Sequence, residues 1–176
     1  MKRGISSCAA GLLALAAFCL PARAEPSVIA FVSGPLSGAA AEEVKRDQDN
    51  NLAEGGTKVS ESAVFRAGGL LAYVKWSRLG GYYAWQDSGL NGLTEDVRQV
   101  FDAAGATVVS GDYGEVNGFR AQYRDIRLTG SPRRCGVFEL RRVKSRIIGF
   151  ACRTEDQAVP ILAILQGLSI DGVIGP

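Results

Sequence analysis

No histidine occurs among the 176 residues, which removes the commonest general base near neutral pH and the commonest transition-metal ligand. Serine and cysteine hydrolases that depend on a histidine are thereby excluded. Cysteine is scarce: Cys8, Cys19, Cys135 and Cys152 are the four, and no two stand in a Cys-x-x-Cys spacing, so a thioredoxin-type redox pair is not expected. The chain has no internal repeat, no low-complexity linker, and no apolar run of the roughly 20 residues that a bilayer span requires.

What is present begins with an export signal. Lys2 and Arg3, an apolar run from Leu12 to Leu20, and the small-x-small end Ala22-Arg23-Ala24 predict a signal peptide over residues 1–24, cut after Ala24. Cys8 and Cys19 leave with it. Neither forms a lipoprotein site, since Phe18 precedes Cys19 and Cys8 comes before the apolar run. The expected destination is the periplasm, with an extracellular location as the alternative. Residues 25–176 suit one globular domain large enough for a real core. Their near-neutral balance hides a polarity: residues 25–119 hold 7 basic and 13 acidic side chains, whereas residues 120–153 hold 10 and 2.

The patterning predicts an α+β fold, an antiparallel sheet with flanking helices. Val28 to Val32 reads as a short strand, and Ser37 as the cap of a helix running through Ala39, Val44 and Leu52 to a stop at Gly55 and Gly56. Lys58 to Arg66 and Leu70 to Arg78 alternate as strands; Gly80 and Gly81 then read as a hairpin turn with Tyr82 to Gln86 returning, which would set Trp76 against Trp85. Leu93, Val97, Val100, Phe101 and Ala104 fall on one helical stripe that starts at Asn91 or Thr94 and ends at Gly105. Thr107 to Ser110 reads as a strand, Gly111 to Gly118 as a turning stretch, and Phe119 to Leu128 as a strand. Arg134 to Arg142 and Ser145 to Arg153 form a hairpin about Val143 and Lys144, and Thr154 with Gln157 makes a capping box before a buried terminal helix from Gln157 to Leu168, whose regular part is expected to begin close to Pro160.

Only Cys135 and Cys152 remain after export, and an even pair in an oxidising compartment is expected to be bridged. The hairpin register places them directly opposite each other, with Val137 facing Phe150 and Glu139 facing Ile148. Closing that loop stabilises by about 3 kcal/mol on a chain-entropy argument. With both sulfurs engaged, a thiolate zinc site is not expected, and no metal or cofactor is expected.

The carboxylates offer little chemistry. Asp47, Asp49 and Asn51 have the spacing of the first ligands of a calcium loop, but Leu52 stands where glycine is required and Lys58 where the bidentate glutamate belongs; the stretch reads as the solvated face of a helix. Glu42 with Glu43 and Glu95 with Asp96 are adjacent on expected helices and point apart, so neither pair makes an acid/base couple. Glu95 and Asp96 are expected to complement a helix N-terminus.

Two features are candidates for function. The first is a basic strip, Arg133, Arg134, Arg141, Arg142, Lys144 and Arg146, to which Arg120, Arg124 and Arg127 add if their strand is adjacent. Such a cluster attracts an anionic envelope component or an acidic protein surface; the competing reading is that these are edge strands guarded against aggregation by Arg and Lys. Nucleic acid is not an expected partner for an exported protein. The second is an aromatic group, Tyr73, Trp76, Tyr82, Tyr83 and Trp85, either a stacking platform for a sugar or aromatic ligand or ordinary strand packing.

The order of elements, a helix after an antiparallel hairpin, then Gly118-Phe119-Arg120-Ala121-Gln122-Tyr123 opening three consecutive strands, then a final helix, resembles that of PsbP-like proteins over roughly residues 58–170. The resemblance implies an α/β/α sandwich and a non-enzymatic binding or assembly role. The expected function is therefore a non-catalytic binding or accessory protein contacting its partner through the basic hairpin. The alternatives are an inhibitor of a secreted hydrolase and an enzyme that works with carboxylates alone.

Overall fold

The computed structural model describes residues 26–52, 55–85, 89–154 and 157–174; the expected signal peptide lies outside the described residues. In chain order the elements are β1 (Ile29–Phe31), a 3-10 turn (Gly34–Leu36), β2 (Ala41–Leu52), β3 (Gly56–Ala67), β4 (Leu70–Leu79), α1 (Leu90–Val100), β5 (Gly105–Val116), β6 (Phe119–Thr129), β7 (Arg134–Arg141), β8 (Ser145–Arg153), α2 (Ile161–Gly167) and β9 (Leu168–Ile170). Sheet dominates. Seven strands form one antiparallel sheet in the order β2-β3-β4-β8-β7-β6-β5, and β1 pairs with β9 in a separate ribbon. Two sequential meanders, β2–β3–β4 and β5–β6–β7–β8, meet along the β4–β8 pairing.

Because side chains alternate across a strand, a sheet covered on both faces must be apolar at both parities in its centre. β7 reads buried from Cys135 to Leu140 without a break. On one face Ala63, Phe65, Ala72, Val74, Ala121, Phe138, Leu140 and Ile147 pack against α2 and the β1–β9 ribbon. On the other, Ile126, Leu128, Cys135, Val137, Phe150 and Cys152 pack under Leu90, Leu93 and Val97 of α1. Each buried leucine or valine contributes about 1.5–3 kcal/mol. The Cys135–Cys152 disulfide lies in this second layer, its Cα atoms 4.0 Å apart, and the expected pairings of Val137 with Phe150 and Glu139 with Ile148 are present.

Several expectations are overturned. Residues 41–52 form an edge strand paired with β3, not a helix; with both faces largely solvated it lacks the alternation that would mark it, and bulges near Glu42/Lys45 and Asp49/Leu52 break its period further. Asp47, Asp49 and Asn51 therefore sit on a strand. The chain after Leu79 leaves the sheet: β4 pairs with β3 and β8, so Trp76 faces Glu61 and Ile147, not Trp85. Gly111 to Val116 continues β5, and the turn is confined to Asn117 (φ 51°) and Gly118 (φ 71°), the Asn-Gly pair that a two-residue hairpin favours. α1 begins at Leu90, which puts Glu95 and Asp96 mid-helix, and its C-terminus is set by Asp102 in the left-handed region (φ 47°), ahead of Gly105. α2 begins after Pro160 with no side-chain cap, so Thr154 and Gln157 are not its capping box; Gln157 instead accepts a hydrogen bond from Arg153.

Candidate functional site: a basic cleft at the hairpin end of the sheet

β7 and β8 are central strands flanked by β6 and β4; the edges are β2 and β5. Edge protection therefore does not account for the basic strip. The strip itself divides. Arg133 and Arg134 lie at the far end of β7, where the Arg133 guanidinium covers the Phe101 ring at 4.9 Å and Arg134 grips Asp125 through Nε at 2.9 Å and Nη2 at 2.6 Å, both residues largely buried. That bidentate pair serves the fold. In the same end Arg134 is the cross-strand neighbour of Arg127 and Arg153.

The other members converge on the β7–β8 turn. Register places Arg120, Arg141 and Arg146 directly opposite one another on β6, β7 and β8, one after the next across the sheet, with Glu115 of β5 beside Arg120. Direct cross-strand partners share a face, so this is a row of three cations at one strand spacing. Around the same end an open cavity of about 990 Å³ is lined by Arg78, Arg120, Arg141, Arg142, Lys144 and Trp85, with Glu115 the acid among its lining residues. Alternation sends Arg78 and Arg142 to the opposite face from Arg120 and Arg141, so the cavity wraps the turn.

These cations do different things. Arg142 donates from Nε to the Gly118 carbonyl (2.7 Å) and from Nη2 to that of Asn117 (2.9 Å), with its guanidinium 4.2 Å over the Phe119 ring, so it fastens the β5–β6 turn. Lys144 donates to the Gly81 carbonyl at 2.6 Å, tying down the segment after β4. Arg146 is mostly buried: its Nε is 2.7 Å from Oε1 of Glu139, which is 3% exposed, an ion-pair contact whose N–H is not aligned on that oxygen. Its guanidinium also lies 5.0 Å over the Trp85 ring. The other Glu139 oxygen accepts from the Gly89 amide at 3.2 Å, and a Cβ on Gly89 would fall 1.9 Å from Arg146 Nη2, so a side chain there would displace the guanidinium. Arg146 is thus an internal counter-charge rather than a surface cation. Arg124 hydrogen-bonds Asn91 of α1.

The aromatic group is not brought together. Tyr73 stacks on Phe150 at 5.6 Å, Trp76 packs against the core on the other face, Tyr82 is fully exposed, and the Tyr83 ring lies against Gly56. Trp85 alone joins the basic cleft.

Among the acids, Glu42 and Glu43 both pair with Arg66. Glu95 is held by hydrogen bonds from Arg98 and Gln99, which lower its carboxyl to about 2. One acid unremarked in the sequence proves central: Glu61, 3% exposed, accepts from Ser27 Oγ (2.5 Å), the Val28 amide (2.8 Å) and Arg46 Nε (2.6 Å). Burial pushes its carboxyl up, but the bonds from Ser27, Arg46 and Val28 outweigh burial and hold it below the usual value. Its position in the inward-facing run of β3 was the available signal. Among the described residues no three potential ligands cluster to hold a metal, and no helix is long and apolar enough to cross a membrane.

No family model, no curated protein and no solved structure matches this chain.

Proposed function

We propose that this is an exported, non-catalytic binding or accessory protein of the cell envelope, periplasmic in location, whose contact surface is the basic end of the β6–β7–β8 sheet. The observation that carries the reading is the convergence of Arg78, Arg120, Arg141, Arg142 and Lys144 on one cavity at the hairpin end, with Arg120 and Arg141 directly opposite each other. Like charges directly opposite across strands are unfavourable by roughly 0.2–1 kcal/mol per pair. Two acids stand among these cations, Glu139 beside Arg146 and Glu115 opposite Arg120, and central strands have no aggregation-prone edge to guard. Five basic side chains, Arg78, Arg120, Arg141, Arg142 and Lys144, line the cavity with Glu115 as its acid, and that excess of positive charge attracts an anionic surface. α1 covers one face of the sheet, and α2 with the β1–β9 ribbon covers the other, an arrangement of the flanking-helix kind.

The test is co-sedimentation with vesicles containing phosphatidylglycerol or lipopolysaccharide at low and near-physiological salt. Wild type is compared with the triple variant Arg78→Gln, Arg120→Gln, Arg141→Gln, which spares the structural Arg142, Lys144 and Arg146. Salt-sensitive binding lost in the variant supports the reading; binding equal in the two proteins, or absent from both, refutes an anionic envelope surface. One observation favours the inhibitor reading as second: Val143, 70% exposed, stands at the turn between Arg142 and Lys144, an exposed apolar residue flanked by cations that suits contact with an acidic protein surface.

A further inference from the structure

The open sheet has two edges, and they differ in how they are guarded. β2 has six charged residues among its twelve, two bulges and a left-handed Glu43 (φ 51°), the kind of features that keep an edge from pairing. β5, at the other edge, has two charged residues, Asp112 and Glu115, and no lysine, arginine or proline. Its one register shift lies between Val108 and Ser110, and from Ser110 to Val116 its pairing with β6 is unbroken. Thr107 to Glu115 is exposed along its whole length, and Tyr113, at 82%, projects a ring into solvent. The outer side of β5 is thus a straight run of unpaired backbone groups, a template for another strand.

We propose that this strand is a second copy of the chain, β5 running antiparallel to β5 across a twofold axis at Tyr113 and joining two seven-stranded sheets into one. The residue order from Ser110 to Val116 is self-complementary about that axis, as a twofold contact requires. Ser110 faces Val116, Gly111 faces Glu115, Asp112 faces Gly114, and Tyr113 faces its own copy in an aromatic cross-strand pair. Each acid therefore meets a glycine and never another acid, and at Gly114 no atom stands where a Cβ would be. Charge completes the match. Gly111 has Arg124 as its β6 neighbour and Glu115 has Arg120, so each Glu115 lies in a row between its own Arg120 and, beyond the glycine, the second copy's Arg124. Neighbouring axes lack this fit: one at Asp112 sets that carboxylate against itself, and one at Gly114 sets Asp112 against Val116 and Glu115 against Tyr113.

Sedimentation equilibrium of the full mature protein tests this. One strand pairing is at the small end of interface sizes, so the concentration should reach about 0.5 mM. Wild type is expected to dimerise within that range. Tyr113→Lys sets two ammonium groups opposite each other at the axis and is expected to weaken the dimer about tenfold, from like charges and the lost ring pair together. Gln48→Lys, on the β2 edge, is expected to leave it unchanged. Both side chains are exposed, and unaltered thermal midpoints confirm that the variants fold. The register is read by cross-linking: oxidised with copper phenanthroline, Tyr113→Cys should close a disulfide between copies, whereas Thr107→Cys, on the same strand but beyond the matched stretch, should not. A wild type that stays monomeric, a dimer indifferent to Tyr113→Lys or weakened by Gln48→Lys, or cross-linking at Thr107→Cys in preference to Tyr113→Cys overturns the proposal.

Discussion

Replacing Glu61 by glutamine should cost about 2 to 3 kcal/mol. The carboxylate receives three donors, Ser27 Oγ, the Val28 amide and Arg46 Nε, at 2.5 to 2.8 Å. An amide of the same shape presents one oxygen and one N–H2, so at least one donor is left facing a donor, and the charge-assisted bond to Arg46 is lost. A hydrogen bond to a charged group is worth about 1.5–3 kcal/mol; breaking a fully buried pair costs about 3–5 kcal/mol, but the Arg46 side chain is 39% exposed and can turn to water. That places the loss at the lower figure. Urea unfolding should show a lower midpoint with an unchanged slope, because the core that unfolds is the same. The pH dependence is the sharper check. The folded pKa of Glu61 lies below its ordinary value, so its stabilisation is complete above that ordinary value and is lost as pH falls through the folded one. The gap between wild type and Glu61→Gln should therefore be full at pH 7, begin to close below about pH 5, and keep closing with further acid. A gap that stays constant across this range, or a loss under about 1 kcal/mol at pH 7, would show that Glu61 does not tie residues 26–28 to the sheet as argued.

Removing the disulfide with Cys135→Ala and Cys152→Ala together should lower stability by about 3 kcal/mol, measured by the same unfolding. Since both sulfurs are buried under α1, a mild reductant should leave the bridge intact until denaturant is added, as thiol labelling will report. At the far end of the sheet, Arg134→Gln breaks the Asp125 pair and should cost about 1–3 kcal/mol while leaving vesicle binding unchanged; reduced binding would mean that the contact surface runs the whole length of β7.

The parts of this fold that were legible in the sequence are those written locally. β7 and β8 follow from a two-residue turn, alternation and a cysteine at matching distances from it; α1 follows from a 3.6-residue apolar stripe over Leu93 and Val97. The errors fall where a segment takes its conformation from something distant. Residues 41–52 have weak preferences of their own and become a strand because β3 offers an edge, and Tyr82 to Trp85 fails to return as a strand because β4 is already claimed by β8. The same applies to the site. The hairpin register read from the sequence already sets Arg141 opposite Arg146 at the tip, as found, but only the strand order adds Arg78 from β4 and sets the basic strip on central strands, and only the fold selects Trp85 from five aromatics. Glu139 and Gly89, fifty residues apart, could not be linked to Arg146 without the packing of α1.

The strand order also divides the pairings by how far apart in the chain their partners lie. Within each meander neighbouring strands are neighbours in the chain, so both can close through short turns at low entropic cost. The seam is different: Leu70 must find Arg153 and Arg78 must find Ser145 across α1 and three intervening strands, and pairings of that kind form slowly. The disulfide lies wholly within the second meander. Under oxidising conditions β7 can therefore be locked to β8 before the two halves have met, and β4 then docks against a strand whose register has already been set by a covalent bond.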